Sequence, residues 1–202
     1  MIAAGCCYIG RPEPGTIEIP YWSWDGKLTQ FCRYRLPEPR HNGQKYHQEP
    51  GSGLHLYYPP PFFHRNGTCP FGLAEDYAVF SEGEFKDLCL LELGVYAIGL
   101  PGIAVYTRDK ETGIRQLLPE LQATLSRERI KNLYFLGDAD TSTNYAFSRN
   151  ASFLADAVRP IKVHLPRLPL NAPGKGVDDC REALGDKFHT FFTNVIKEAT
   201  TL

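Results

Sequence analysis

The sequence predicts an α/β protein: a mostly parallel sheet of four strands flanked by helices, preceded by a small β-rich module. Three observations carry this. From residue 76 onward, short apolar runs alternate with longer stretches of helical period, the signature of βαβ units. Ahead of residue 73, Pro and Gly recur in PEPG, LPEPRHNG, QEPGSG and PPP, which are turn signals that exclude long helices. The 202 residues are 43% hydrophobic and 12% aromatic, a globular composition sufficient for one sizeable core or two small ones.

The first module, residues 1–72, holds three β-favouring runs, IEIPYWSW, LTQFCRYRL and LHLYY, which predict a small antiparallel sheet. Strand alternation in the second run places Phe31, Arg33 and Arg35 on one face. Residues 1–70 carry 7 Lys or Arg against 5 Asp or Glu, and the remainder 15 against 18, so the first part is slightly basic and the second slightly acidic. In the second domain, residues 73–202, strands are expected at DYAVF (76–80), VYAIGL (95–100), LYFLG (133–137) and IKVHL (161–165). EFKDLCLLEL, RQLLPELQATLSRER and NYAFSRNASFLADAV have helical spacing, and Pro119, with no N–H to donate, should begin or kink its helix. Two further helices are expected from Val177 to Leu184 and from Phe188 to Ala199.

A net charge of −1 excludes a uniformly basic nucleic-acid binder and an acidic tail, but not a local basic groove. No run approaches the roughly 20 apolar residues of a membrane helix, and the N-terminus lacks the basic flank of a signal peptide, so a cytoplasmic protein is expected. The six cysteines form no CxxC pair and read as reduced thiols. Asn-x-Ser/Thr matches at Asn66 and Asn150 would matter only in a secreted protein. The apolar start, within two residues of Met1, suggests a fragment of a longer open reading frame.

Chemistry in parallel sheets gathers at the carboxyl ends of strands, and three of the four predicted ends are acidic. Ser81-Glu82-Gly83-Glu84 follows the first, Asp138-Ala139-Asp140 the third, and Lys175-Gly176-Val177-Asp178-Asp179 lies beyond the fourth. Carboxylates converging from separate strands repel one another unless a cation sits among them, and hard oxygen donors suit Mg²⁺ or Mn²⁺. Two residues apart in an extended strand end, Asp138 and Asp140 would point to the same side. Gly83 permits a sharp turn from strand into helix with Glu82 exposed at the sheet edge. Glu84 reads as a first-turn acid facing the helix macrodipole rather than as a ligand.

FSEGEFKD (80–87) and YFLGDAD (134–140) resemble the Glu-Gly and Asp-x-Asp motifs of the Toprim domain, the metal-binding catalytic domain of bacterial-type primases, topoisomerases and certain nucleases. GVYAIGLPG (94–102) is similar to that domain's second strand and turn, and the likeness spans roughly residues 74–185. The stretch IPYWSWDGKLTQFCRYRL to QKYHQEPGSGLHLYYPP resembles the small basic module preceding the Toprim domain in phage and plasmid primase-like proteins. KGVDD is similar to the Lys-Asp-x-Asn-Asp motif of helicase-linked phage primases, with Gly176 where that pattern has its first acid. Lys175 and Asp179 carry over from it and Asp178 stands beside them, the alternative being a solvated turn before a capped helix.

The resemblance implies DNA primase chemistry: primers made from nucleoside triphosphates on single-stranded DNA. Asp138 and Asp140 would hold Mg²⁺ or Mn²⁺, with Asp179 and Asp178 as further metal ligands, and Glu82 would complete the site as ligand or proton-handling group. Lys86 and Lys175 would contact phosphate. Arg33, Arg35 and Lys45, interleaved with Tyr34 and Tyr46, offer charge for the nucleic-acid backbone and rings for stacking. Two alternatives stay open: a Toprim nuclease cleaving DNA or RNA with the same acids, and a non-catalytic binding module of a larger replication protein. The missing zinc-binding module, helicase motor and Walker A sequence, since PGKGVDD has Gly where Ser or Thr is required, favour the binding-module alternative, with a helicase or zinc-binding module supplied elsewhere as the expected partner. A topoisomerase is not expected, because a nucleophilic tyrosine on a separate DNA-gate domain has no room in these 202 residues.

Overall fold

The structure, a computed structural model, describes residues 14–58, 60, 70–102, 105–108 and 111–202. β1 (Ile17–Trp22), β2 (Leu28–Arg35) and β3 (Tyr46–His47) form a small antiparallel sheet in that order. Alternation along β2 sends Tyr34 into the interior, while the Arg33 and Arg35 guanidinium groups both lie over the Tyr46 ring, 4.7 and 5.0 Å from its centroid. The third expected strand differs. Residues 56–58 leave this sheet, and Tyr57 exchanges two 2.8 Å backbone hydrogen bonds with Gly99 at the edge of the main sheet. Leu56, Tyr57 and Tyr58 are all buried, and a continuous apolar run needs cover on both sides, which that edge supplies.

The main body runs β4 (Tyr77–Glu82), α1 (Glu84–Glu92), β5 (Ala97–Leu100), β6 (Tyr106–Arg108), β7 (Arg115–Leu117), α2 (Pro119–Arg127), β8 (Asn132–Leu136), α3 (Tyr145–Ala157), β9 (Lys162–Leu165), α4 (Val177–Leu184), α5 (Phe188–Lys197) and β10 (Thr200–Thr201). The main sheet has the order β10-β9-β8-β4-β5, with β4, β5, β8 and β9 parallel and β10 antiparallel at one edge. The four expected strands are therefore present and parallel, and a fifth, two residues long, joins them. β4 is central, and Tyr77 to Ser81 are all buried, as a strand covered on both faces requires.

Helix boundaries follow from local chemistry. Pro119 occupies the first turn of α2, where its missing N–H costs nothing. The preceding RQL, expected as helix, pairs instead as β7 with β6, and Arg115 stacks on Tyr106 at 4.5 Å. Asn144 caps α3, its Oδ1 accepting from the N–H groups of Ala146 and Phe147 at 2.9 and 3.2 Å. Phe147, Ala151 and Leu154 then face the core, where Phe147 stacks on Phe135 at 4.7 Å. α5 buries Phe188, Phe192, Val195 and Ile196, one helical stripe, and Phe192 meets Phe71 edge to face at 5.1 Å.

A smaller cluster of Ile19, Tyr21 and Tyr57, with Phe85 and Leu88 against it, joins the small sheet to α1. Cys32, Cys89 and Cys180 are free thiols, whereas Cys6, Cys7, Cys69 and Asn66 lie outside the described residues. The Asn150 side chain is buried in α3 and donates to the Ala146 carbonyl at 2.9 Å. Among the described residues, no helix is long and apolar enough to cross a membrane.

Candidate functional site

β5 lies on one side of β4 and β8 on the other, so the strand order reverses at the β4–β8 boundary. Helices and loops diverge at such a point and leave a crevice outside the carboxyl ends of the strands. Glu82 ends β4, and Asp138 follows β8 by two residues, with Ser81 paired to Leu136 in the ladder between them. A cleft of about 830 Å³ opens there. The small sheet supplies Arg33, Arg35, Lys45 and Tyr46 to its lining, and the main body supplies Glu82, Lys86, Asp138, Asp140, Lys175, Asp178 and Asp179. All ten residues singled out in the sequence thus border one cavity.

The acidic side is built by tight turns. Gly83, at φ +101°, swings the chain from β4 into α1 in a conformation that L side chains rarely adopt. Gly137 permits the turn after β8, since a Cβ there would lie 2.6 Å from the Thr141 side chain and 2.8 Å from the Phe147 ring. The chain curls at once into a 3₁₀ turn over Ala139–Ser142, with the Asp138 carbonyl accepting from Thr141 N–H and hydroxyl at 3.0 and 2.5 Å. Asp138 and Asp140 therefore do not share a face through strand alternation, as their spacing suggested. Lys175 brings them together instead, 3.6 Å from Asp138 Oδ2 and 3.2 Å from Asp140 Oδ2. Its own carbonyl accepts from Ala139 N–H at 2.9 Å, fixing the two loops to each other.

Lys86 is the second cation among the acids. Its Nζ lies 2.5 Å from Asp138 Oδ1 and donates to the Glu82 carbonyl at 3.0 Å. Burial is the main influence raising the Glu82 carboxyl above its usual range; Lys86 and Lys175 pull it down, and Asp138 and Asp140 push it up. The two aspartates of α4 divide their work. Asp179 Oδ2 accepts from Gly176 N–H at 3.0 Å and closes the helix start, while Asp178 Oδ1 is buried with no hydrogen-bond partner. Among the described residues, no three His, Cys, Asp or Glu side chains stand close enough to hold a metal ion as they are. The ammonium groups of Lys86 and Lys175 take the neutralising role in this arrangement.

On the opposite wall the three cations differ. Arg33 is committed: its Nη1 lies 2.7 Å from Oε1 of Glu84, which is 2% exposed and also accepts from the Tyr21 hydroxyl. Glu84 does stand in the first turn of α1 and outside the cleft lining, as expected, but it is buried and paired rather than turned only to the macrodipole. It fastens α1 to the small sheet, because a carboxylate buried at that junction requires a cationic partner. Arg35 and Lys45 have no carboxylate partner among the described residues and are free to receive an anion. The clamp of Tyr21, Arg33 and Glu84 escaped the sequence reading because its members are 51 and 63 positions apart. Asn144, also in the lining, carries the ordinary signal of a capping residue before a helical run.

The sequence matches the family described as Domain of unknown function (DUF3854) over residues 77–187, more than half of the 202-residue chain. No curated protein matches it.

Proposed function

The chain belongs to the DUF3854 family, and from the chemistry of its cleft we propose that it is a Mg²⁺- or Mn²⁺-dependent phosphoryl transferase acting on nucleic acid. The specific reading is the Toprim-type catalytic core of a phage or plasmid DNA primase, extending primers on single-stranded DNA. One observation carries the proposal: Glu82 and Asp138 meet at the carboxyl ends of adjacent central strands, and Arg35 and Lys45 line the same cleft from the small sheet. A phosphate chain and a divalent ion need these two kinds of wall together.

The donor set fits such an ion chemically. Its ligating atoms are all carboxylate oxygens, and the buried, unpartnered Asp178 Oδ1 is an acceptor that a cation would satisfy. Asp138 and Asp140 would hold the ion, with Asp178 beside them and Glu82 completing the site as ligand or as the proton-handling group, and Asp179 adds charge while it caps α4. When bound, the ion supplies charge neutralisation on the transferring phosphate and acidifies the attacking hydroxyl. Glu82, raised by burial, is suited to take the proton from that hydroxyl. Arg35, Lys45 and Lys175 would meet phosphate oxygens, and the Tyr46 ring offers a face for stacking.

The test is product formation on a single-stranded DNA template with nucleoside triphosphates and Mn²⁺. Wild type should make short oligonucleotides, and Glu82→Gln should slow the reaction by about a hundredfold or more while leaving template affinity nearly unchanged. Template cleavage without synthesis would assign the acids to a nuclease. A second reading, a binding module without chemistry, is favoured by the lysine-paired acids, which do not form a ready three-ligand set. Template binding with neither product would establish that second reading.

A further inference from the structure

The acid cluster already holds a cation in a fitted place. Lys86 leaves the first turn of α1 with its side chain only 20% exposed, and its ammonium lies 2.5 Å from Asp138 Oδ1. The contact is an ion pair rather than a well-directed hydrogen bond, since Asp138 Oδ1 has no hydrogen-bond partner. Its methylene stem runs over Gly176, where a Cβ would come within 2.6 Å of Lys86 Cε and 2.4 Å of Asp178 Oδ1. Glycine at 176 therefore leaves the room that this lysine and Asp178 occupy. Burial opposes charge on the amine, but Asp138, Asp178 and Glu82 outweigh it and hold the group protonated, above its usual range. Lys175 contrasts with it: 65% exposed, it reaches the aspartates from outside.

A divalent ion bound through Asp138 would compete with Lys86 for the same carboxylate oxygen. Two cations a few ångströms apart in a partly buried site repel strongly, so both cannot keep it. Resting on the metal-dependent reading above, we propose that Lys86 is a displaceable internal counter-ion: it holds Asp138 beside Glu82 and Asp178 until a divalent cation binds, then yields that oxygen. The protein's intrinsic affinity for the ion is lowered by the ion pair that must first break, and the released ammonium becomes available to a phosphate.

This has a consequence opposite to that of a lysine that only contacts phosphate. Deleting the positive charge should strengthen binding of the bare metal ion. Mn²⁺ titration of the intact chain, followed by loss of the free-ion paramagnetic signal and by calorimetry, should show Lys86→Met tightening the dissociation constant about tenfold relative to wild type. Lys86→Arg, which keeps the charge, should not tighten it, and Lys175→Met should shift it by less than about threefold. Thermal melting of the same samples reports folding, and without metal Lys86→Met should melt below wild type and recover on adding Mn²⁺. If Lys86→Met fails to fold, Lys86→Gln is judged by the same criterion. Asp138-dependent binding of equal or weaker affinity in the neutral variant overturns the counter-ion role and leaves the metal-dependent reading intact. Absence of Mn²⁺ binding from both wild type and the neutral variant overturns both.

Discussion

Asp87 is wholly buried beneath the cleft, with Ser81 Oγ donating to its Oδ1 at 2.7 Å and its Oδ2 without a hydrogen-bond partner. Burial pushes its carboxyl well above the usual range, and the Ser81 hydrogen bond only partly opposes this. The unfolded chain releases that proton near pH 4, whereas the folded chain keeps it to higher pH. The stabilisation is therefore fully present below about pH 4 and is lost as pH rises through the raised folded value. Urea unfolding of wild type and Asp87→Asn should therefore diverge with pH, the wild type losing more stability than the variant as pH rises above about 4. Parallel profiles would contradict a protonated Asp87. The two acids that line the cleft from strand ends were legible at this scale, because Glu82 and Asp138 each follow an apolar run. The partners of Asp87 were not fully legible, since Oδ2 rests against Gly99 of another strand, where a Cβ would lie 2.1 Å away.

Between elements, the decisive contact is the clamp of Glu84 on α1 with Arg33 on β2 and Tyr21 on β1. Removing one member of a buried ion pair leaves the other charged and unsatisfied, at a cost of about 3 kcal/mol or more. Glu84→Ala should lose about that much in chemical denaturation, and adding Arg33→Met should restore part of the loss. Equal stability of wild type and Glu84→Ala would show that the small sheet is not held this way. The parallel strands were readable because continuous apolar runs flanked by helical periods admit few alternatives. The β6–β7 hairpin was hidden because Arg115 to Leu117 continue the helical period of the segment that Pro119 truly starts. Residues 56–58 were misassigned to the small sheet because a short apolar strand does not say which edge it will cover.

Across the whole molecule, a nearly neutral chain separates its charges into two walls of one cleft. The small sheet contributes Arg35 and Lys45, the carboxyl ends of the main sheet contribute the acids, and the clamp at Glu84 joins the two parts beside it. Net charge concealed this arrangement, since the two excesses cancel to −1. The parallel topology accounts for the acids: strands whose order reverses at β4 and β8 bring together motifs separated by more than fifty positions. The basic wall depends on tertiary docking, which no local pattern encodes. The most direct test of the account is calorimetric titration of Mn²⁺ into wild type and the double variant Asp138→Asn/Asp140→Asn. Saturable binding by the wild type that the double variant loses, both proteins remaining folded, is the predicted result. Equal binding by both, or none by the wild type, would contradict a metal site at the carboxyl ends of β4 and β8.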